Sequence, residues 1–362
     1  MQTSSFVDPP EQARRASRPP GRVTADLAHC RALLANGSRT FLAASFLLPR
    51  AVRDPACALY AFCRVADDAI DTAAEGKVDV ALARLRGALD RVYEGEPSGA
   101  IERAFAAVVH RHAIPRVLPE ALLEGFAWDV AGRRYQSMAD LHAYAARVAG
   151  TVGAMMALVM GARSPAALAR ACDLGVAMQL SNIARDVGED ARIGRVYLPL
   201  AWLREAGIDV DAFLAAPRHD VRLGAVVARV LAHADAIYAR VGAGVAELPL
   251  RCRVGINAAR FLYAEIGREV GRRGGNAVDA RAVVSPWRKA ALLAAAVACV
   301  MPRRGAAEPA LPATRYLVDA AAAVEPVRTA PPLAVAGRVV WLLELFERLE
   351  RQDRLRHAGS VR

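Results

Sequence analysis

The sequence predicts an all-α protein, on three observations. Alanine dominates the apolar fraction, 54% of 362 residues, while β-branched and aromatic residues are comparatively sparse, a mix that favours helices over sheets. Polar residues recur at helical spacing along long apolar stretches. From Ala25 to about Ala298 no convincing period-two alternation marks a strand.

The organisation follows from composition. Residues 1–24 open with MQTSSFVDPPEQARRASRPPGR, polar and Pro-rich, and read as a disordered tail without the apolar core of a signal peptide. Residues 25–298 read as one helical catalytic domain. Its helix breaks are expected at Pro49, Asp54-Pro55, Gly95 to Gly99, Pro115, Pro119, Gly161 to Pro165, Gly194 to Pro199, Pro217 and Pro249. Residues 299–362 read as a Pro/Ala-rich linker and a last amphipathic helix from about Gly337 to Leu355, with Val340, Leu343, Phe346 and Leu349 on one side. The longest apolar run, Ala290 to Met301, lies between Arg288, Lys289, Arg303 and Arg304. It is too short to span a bilayer and reads as a buried helix, with a membrane-surface helix as the alternative. The six cysteines show no CxxC spacing, so free thiols in a reducing cytoplasm are expected. The net charge of +11 suits a phosphorylated substrate, acidic lipid or nucleic acid, or simply an Arg-rich solvated surface.

Two acidic stripes carry the chemistry. In ALYAFCRVADDAIDT, residues Tyr60, Arg64, Asp67, Asp68 and Asp71 share one helical face. Three clustered carboxylates repel one another unless a cation lies between them. Oxygen ligands suit magnesium, which takes one or two carboxylates and completes its shell with water and substrate phosphate. Arg64 can hold phosphate through a bidentate fork. In AMQLSNIARDVGEDARIGRVYLP, residues Gln179, Asn182, Asp186 and Asp190 form a second stripe flanked by Arg185 and Glu189. Gly188 inside it costs about 1 kcal/mol of helix propensity relative to Ala, so it needs another reason to be there. A solvated acidic face is the plain alternative for either stripe alone. Together they point to a metal-bridged diphosphate held between facing carboxylates, with the metal drawing charge onto the leaving group. The segment LHAYAARVAGTVGAMMALVMG, with Ala149, Gly150, Gly153 and Ala154, supplies an apolar wall on which a carbocation would be shielded from water. Its small residues serve either close helix packing or ligand room. Tyr144 stands one turn before them.

These strings, GSRTF, YAFCRVADDAID, YAARVAGTVG and QLSNIARDVGEDARIGRVYLP, resemble the squalene and phytoene synthases from about residue 25 to 295, and within them the bacterial phytoene synthases of carotenoid biosynthesis. The resemblance implies a single isoprenoid-synthase helical domain around a central cavity. It implies metal ligation by Asp67, Asp71, Asn182, Asp186 and Asp190, with Asp68 completing the first motif and Tyr144 as an active-site tyrosine. Substrate contacts fall on Ser38, Arg39, Thr40, Tyr60, Arg64, Gln179, Asn182, Arg185, Tyr263 and Arg281, the last two across a one-residue gap. Arg39 replaces the family's Lys and Ser181 a common Thr.

The implied reaction is that of a 15-cis-phytoene synthase. Two geranylgeranyl diphosphates condense head to head through prephytoene diphosphate, with Mg2+ or Mn2+ and without NADPH. A squalene or dehydrosqualene synthase acting on farnesyl diphosphate is the enzymatic alternative. A non-catalytic helical protein binding lipid or nucleic acid is the alternative of another class, but no basic stripe with interleaved aromatics supports it. The hydrocarbon product implies a cytoplasmic protein in peripheral contact with the inner face of the membrane, near other carotenoid-pathway enzymes, with no nucleic-acid partner.

Overall fold

The computed structural model describes residues 20–37, 46–71, 73, 78–301 and 308–325, which form helices and no strand. Among the described residues, thirteen α-helical segments, one π-helical turn and one 3-10 turn precede the final short helix. They are α1 (Pro20–Gly37), α2 (Arg50–Asp71), α3 (Val78–Glu94), α4 (Gly99–His112), α5 (Val117–Val130), α6 (Met138–Ala145), α7 (Thr151–Met160), α8 (Pro165–Arg192), α9 (Leu200–Glu205), α10 (Val210–Ala215), α11 (Val221–Val245), α12 (Leu250–Arg272), α13 (Pro286–Ala298) and α14 (Arg315–Ala322).

Helix α8 runs through the middle. Ser164 caps it by accepting from the Ala167 N–H at 3.1 Å, and Pro165 occupies the first turn, where no N–H is needed. Helices α7, α11, α12 and α14 and the π-helical turn all pack on it. Two glycines allow the closest approach. A Cβ on Gly153 would lie 2.1 Å from the Ala171 carbonyl oxygen, and one on Gly175 would lie 2.2 Å from that of Ala149. The π-helical turn Ala146–Gly150 joins α6 to α7 and continues one apolar run, Met138–Met160, long enough to cross a membrane but mostly buried inside the fold.

Several expected boundaries move. Pro119 lies in the first turn of α5, where its missing N–H breaks no bond. Pro55 lies inside α2, close enough to the N-terminus that only one carbonyl in the early turns loses a helical partner. Helix α1 starts at Pro20, inside the span expected to be tail. Residues 315–322, expected as linker, form α14, which buries Leu317, Val318 and Ala321 against α5, α7 and α8. The approach to α14 is fixed by Arg170, which donates to the carbonyls of Glu308 and Pro309, each at 3.1 Å. Arg170 also pairs at 2.9 Å with the fully buried Asp173. Residues 1–19 and the expected helix over 337–355 lie outside the described residues.

The joint between α12 and α13 is electrostatic as well as apolar. Leu292, Leu293 and Ala296 pack on Ala258 and Leu262. Beside them the fully buried Glu265 accepts from Arg288 at 2.9 and 3.0 Å, Arg272 at 2.8 Å and Arg268 at 3.1 Å. Burial alone would raise its pKa, but the three guanidiniums outweigh it and hold the carboxyl at about 2. The folded pKa lies below the ordinary 4.5, so the ionised form stabilises the joint above about pH 4.5 and that stabilisation is lost as pH falls toward 2. Glu265→Gln is expected to lower unfolding stability by about 2 kcal/mol at neutral pH. It should also flatten the acid limb between pH 4.5 and 2, as read by thermal melts across pH.

Candidate active site

A cavity of about 290 Å³ opens among α2, α7, α8, α11 and α12. Along α8 its wall is Ala167, Ala171, Leu174, Gly175, Met178, Gln179 and Asn182, one stripe at helical spacing. From Ala167 to Asn182 that stripe is about 22 Å long at 1.5 Å per residue. Val148, Ala149, Val152, Gly153 and Met156 face it from the π-helical turn and α7. The expected small residues therefore serve both purposes: Gly153 admits the neighbouring backbone, and with Ala149 it also forms cavity surface. Apart from the Arg170 side chain at its deep end, the polar lining side chains gather at one end: Tyr60, Gln179, Asn182 and Tyr263.

The first acidic cluster stands at that end. Tyr60 and Cys63 of α2 line the cavity, and one turn further Arg64 forks onto Asp68, with Nη2 at 2.7 Å and Nε at 3.0 Å. The same guanidinium lies 3.6 Å from Asp67. Both carboxylates are nearly half exposed, so they reach solvent and an incoming ligand. Asp71 ends α2, and its side chain lies outside the described residues, as do Ser38, Arg39 and Thr40.

The second cluster sits on α8, one to two turns beyond the lining residue Asn182. Arg185 donates to both oxygens of its neighbour Asp186, at 2.7 and 2.5 Å. Arg281 reaches the same carboxylate at 3.0 Å and lies 3.6 Å from Glu189. These ion pairs go to Asp186 and not to Asp190. Burial, and then the charge of Asp186, push the Asp190 carboxyl up to about 7. The Asn182 Oδ1 atom is buried with no hydrogen-bond partner. Burial also raises the pKa of the hydroxyls of Tyr60 and Tyr263, so both remain protonated donors. Tyr60 feels Tyr263 and the first cluster, whereas Tyr263 feels Arg185 and Asp186.

Gly188 explains how Arg281 gets there. A Cβ at this position would lie 2.6 Å from both Cα and O of Val278 and 2.9 Å from the Ala277 oxygen. The Gly188 N–H donates to that Ala277 carbonyl at 3.1 Å, and Arg192 holds the Val278 carbonyl at 2.7 Å. The bare helix face lets residues 276–282 lie against α8, and Arg281 is thereby carried to Asp186.

Tyr144, the tyrosine that the resemblance implies in the active site, lies on α6. It is buried, lies outside the cavity lining, and donates to Asp129 Oδ2 at 2.8 Å. Tyr197 donates to the other oxygen of Asp129, also at 2.8 Å, and the two rings stack with centroids 5.1 Å apart. The negative charge of Asp129 reaches Asp190, and Tyr197 shares a small pocket with Asp190. Tyr144 therefore meets the second cluster from behind, through a carboxylate that sequence reasoning missed. The available signal was faint: Asp129 is one of three acids on the helix Val117–Val130, with Glu120 and Glu124. Among the described residues no three His, Cys, Asp or Glu side chains form a ready-made metal cage.

Gly188→Ala tests the loop placement. The added methyl must displace backbone, so stability is expected to fall by about 1–3 kcal/mol, with a larger proportional loss of turnover than of helicity. Thermal melts and steady-state rates on the same preparation check this. Unchanged kinetics in a stably folded variant would contradict the role of the loop.

Comparison with known proteins agrees with this architecture. The squalene/phytoene synthase family model matches residues 34–288. The chain is 49% identical to a phytoene synthase of Cereibacter sphaeroides over 350 residues, covering 92% of this chain and 96% of the relative. It is 51% identical to a phytoene synthase of Rhodobacter capsulatus over 307 residues, covering 82% and 90%. Among solved structures, a dehydrosqualene synthase in complex with ligand superposes with a TM-score of 0.71 at 29% identity, covering 78% of this chain and 98% of the other. The acidic stripes, the cavity between them and the matched span agree, and the chain belongs to the squalene/phytoene synthase family.

Proposed function

We propose that the chain is a 15-cis-phytoene synthase, a prenyltransferase that joins two geranylgeranyl diphosphates head to head and releases both diphosphates. The observation that carries the choice of substrate is the length of the apolar stripe on α8. A geranylgeranyl chain, fully extended with carbon–carbon bonds near 1.5 Å, spans about 19 Å. The stripe from Asn182 to Ala167 runs about 22 Å and holds such a chain with its diphosphate at the acidic end. The names of the relatives from Cereibacter and Rhodobacter support the same reading.

A divalent cation, Mg2+ or Mn2+, fits the donors present. Asn182 Oδ1 is buried and unpartnered, Asp190 carries a carboxyl at about 7 that a cation would ionise, and Asp186 lies on the same face one turn from each. Asp67 and Asp71 on α2 would supply ligands from the other side, with Asp68 beside them. When bound, the metal supplies Lewis acidity, drawing electron density onto the leaving diphosphate. Arg64, Arg185 and Arg281, already paired with carboxylates, present guanidinium forks that can turn to diphosphate oxygens. Tyr60, Tyr263 and Gln179 offer neutral hydrogen bonds where the charged head meets the apolar wall. Once the donor's C–O bond breaks, its C1 cation attacks the acceptor's double bond. Loss of a proton closes the cyclopropane of prephytoene diphosphate. A second ionisation, rearrangement and proton loss give phytoene, so no hydride from NADPH is consumed. Val152, Met156, Leu174 and Met178 keep water from the cation through both steps. The product belongs in a bilayer, so we place the enzyme in the cytoplasm, in peripheral contact with the inner face of the membrane.

The test is incubation of the pure protein with geranylgeranyl diphosphate and Mg2+, without NADPH, followed by mass analysis of the hydrocarbon. A C40 product with three conjugated double bonds is expected. Asp67→Ala and Asp190→Ala are each expected to lower turnover about a hundredfold or more with helical content intact. A C30 product from farnesyl diphosphate, with geranylgeranyl diphosphate left unused, would overturn the substrate assignment.

A further inference from the structure

Helix α13 presents an apolar face to the outside. Leu292, Leu293 and Ala296 pack inward on α12. The outward positions Trp287, Ala291, Ala294, Val297, Ala298 and Met301 are all apolar and all exposed. They recur at helical spacing and, as far as Ala298, form a stripe about 16 Å long. Trp287 is 86% exposed and Met301 77%, which is unusual for side chains of this size in water. Val283, just before the helix, is 65% exposed on the same approach.

Three features say what covers this face. No Asp or Glu occurs from residue 280 to 301, while Arg281, Arg288 and Lys289 do. At the Trp287 end the joint beneath carries Arg268, Arg272, Arg273 and Arg288 against two acids, Glu265 and Glu269. A local positive excess beside an apolar stripe is complementary to anionic headgroups over acyl chains. Tryptophan at the boundary between a basic end and an apolar face sits where an indole prefers to lie, at the level of the headgroups. The stripe is also one helix away from the cavity. Ala258 and Leu262 of α12 meet α13, while Ile256, Ala259 and Tyr263 of the same helix line the cavity. Leu47 packs at the α13 joint and Leu48 on the cavity.

We infer that the outer face of α13, anchored by Trp287, is the surface by which the protein docks on an anionic lipid bilayer, the helix lying in the plane of the interface. This names the surface for the membrane contact proposed above, but it stands on the exposed stripe and its charge and not on the identity of the product. Docking there sets α12, one wall of the cavity, a single helix away from the lipid.

The experiment is sedimentation of the full chain with vesicles of phosphatidylcholine containing phosphatidylglycerol, compared with phosphatidylcholine alone. It is run for wild type, Trp287→Glu/Ala294→Glu and Leu343→Glu/Phe346→Glu. Turnover of detergent-dispersed prenyl diphosphate is measured on the same samples, so failure of the enzymatic reading shows separately. Wild type is expected to partition onto the anionic vesicles. The α13 variant is expected to lose at least tenfold in partitioning while keeping its melting temperature and its turnover in detergent. Undiminished partitioning of that variant overturns the proposal, including the case in which only Leu343→Glu/Phe346→Glu releases the protein. Conversion of a dimeric wild type to a monomer by the α13 substitutions, seen by light scattering, also overturns it, because the stripe would then belong to a second copy.

Discussion

Negative charge at the mouth of an apolar cavity must be neutralised, and most of the arrangement around the site answers that requirement. Asp67 and Asp68 on α2 and Asp186 and Asp190 on α8 lie one to two turns beyond the polar end of the cavity, where Tyr60, Gln179, Asn182 and Tyr263 line it. Each stripe carries its own guanidinium: Arg64 for the first, and Arg185 with Arg281 for the second. Asp190 has no share in those pairs, and burial, then the charge of Asp186, makes its proton hard to remove. Carboxylates in this condition are poor structural elements, and in the proposed function they would receive a cation that arrives with a diphosphate. The same guanidiniums can exchange a carboxylate for a phosphate without moving far.

The geometry that makes this possible comes from backbone approaches that only glycine tolerates. Gly153 and Gly175 bring α7 and the π-helical turn onto α8 closely enough that the cavity lies beside a tight seam. Gly188 does the same for the 276–282 loop and so delivers a charge from a distant part of the chain. A methyl group at any of these three positions would have to displace main chain, which a core packed at crystal-like density resists. Rigidity in the walls matters here because a cation shielded by loosely packed side chains would meet water.

Much of the site is legible in the sequence because it is written at helical spacing. Tyr60, Arg64, Asp67 and Asp68 fall on one face of α2, and Gln179, Asn182, Asp186 and Asp190 on one face of α8, as their intervals require. The helical cost of Gly188 was a true signal, although its cause, a loop nearly ninety positions further along, has no local signature. Asp129 escaped for a related reason. Its partners Tyr144 and Tyr197 come from elsewhere in the chain, and a carboxylate near a helix end looks like an ordinary exposed acid. Helix α14 was hidden by composition, since Leu317, Val318 and Ala321 are a short stripe amid Pro and Ala. Pro55 and Pro119 misled because a proline near a helix start costs little, and only the capping geometry tells a first turn from a break.

We propose that the two carboxylate clusters accept a diphosphate only with divalent cations between them. Calorimetric titration of inorganic diphosphate into the protein, with and without Mg2+, measures this directly. Binding in the presence of Mg2+, absent without it and lost in Asp190→Ala, is the result the account predicts. Equal binding with and without the metal would contradict it, leaving the arginines alone as the anion site.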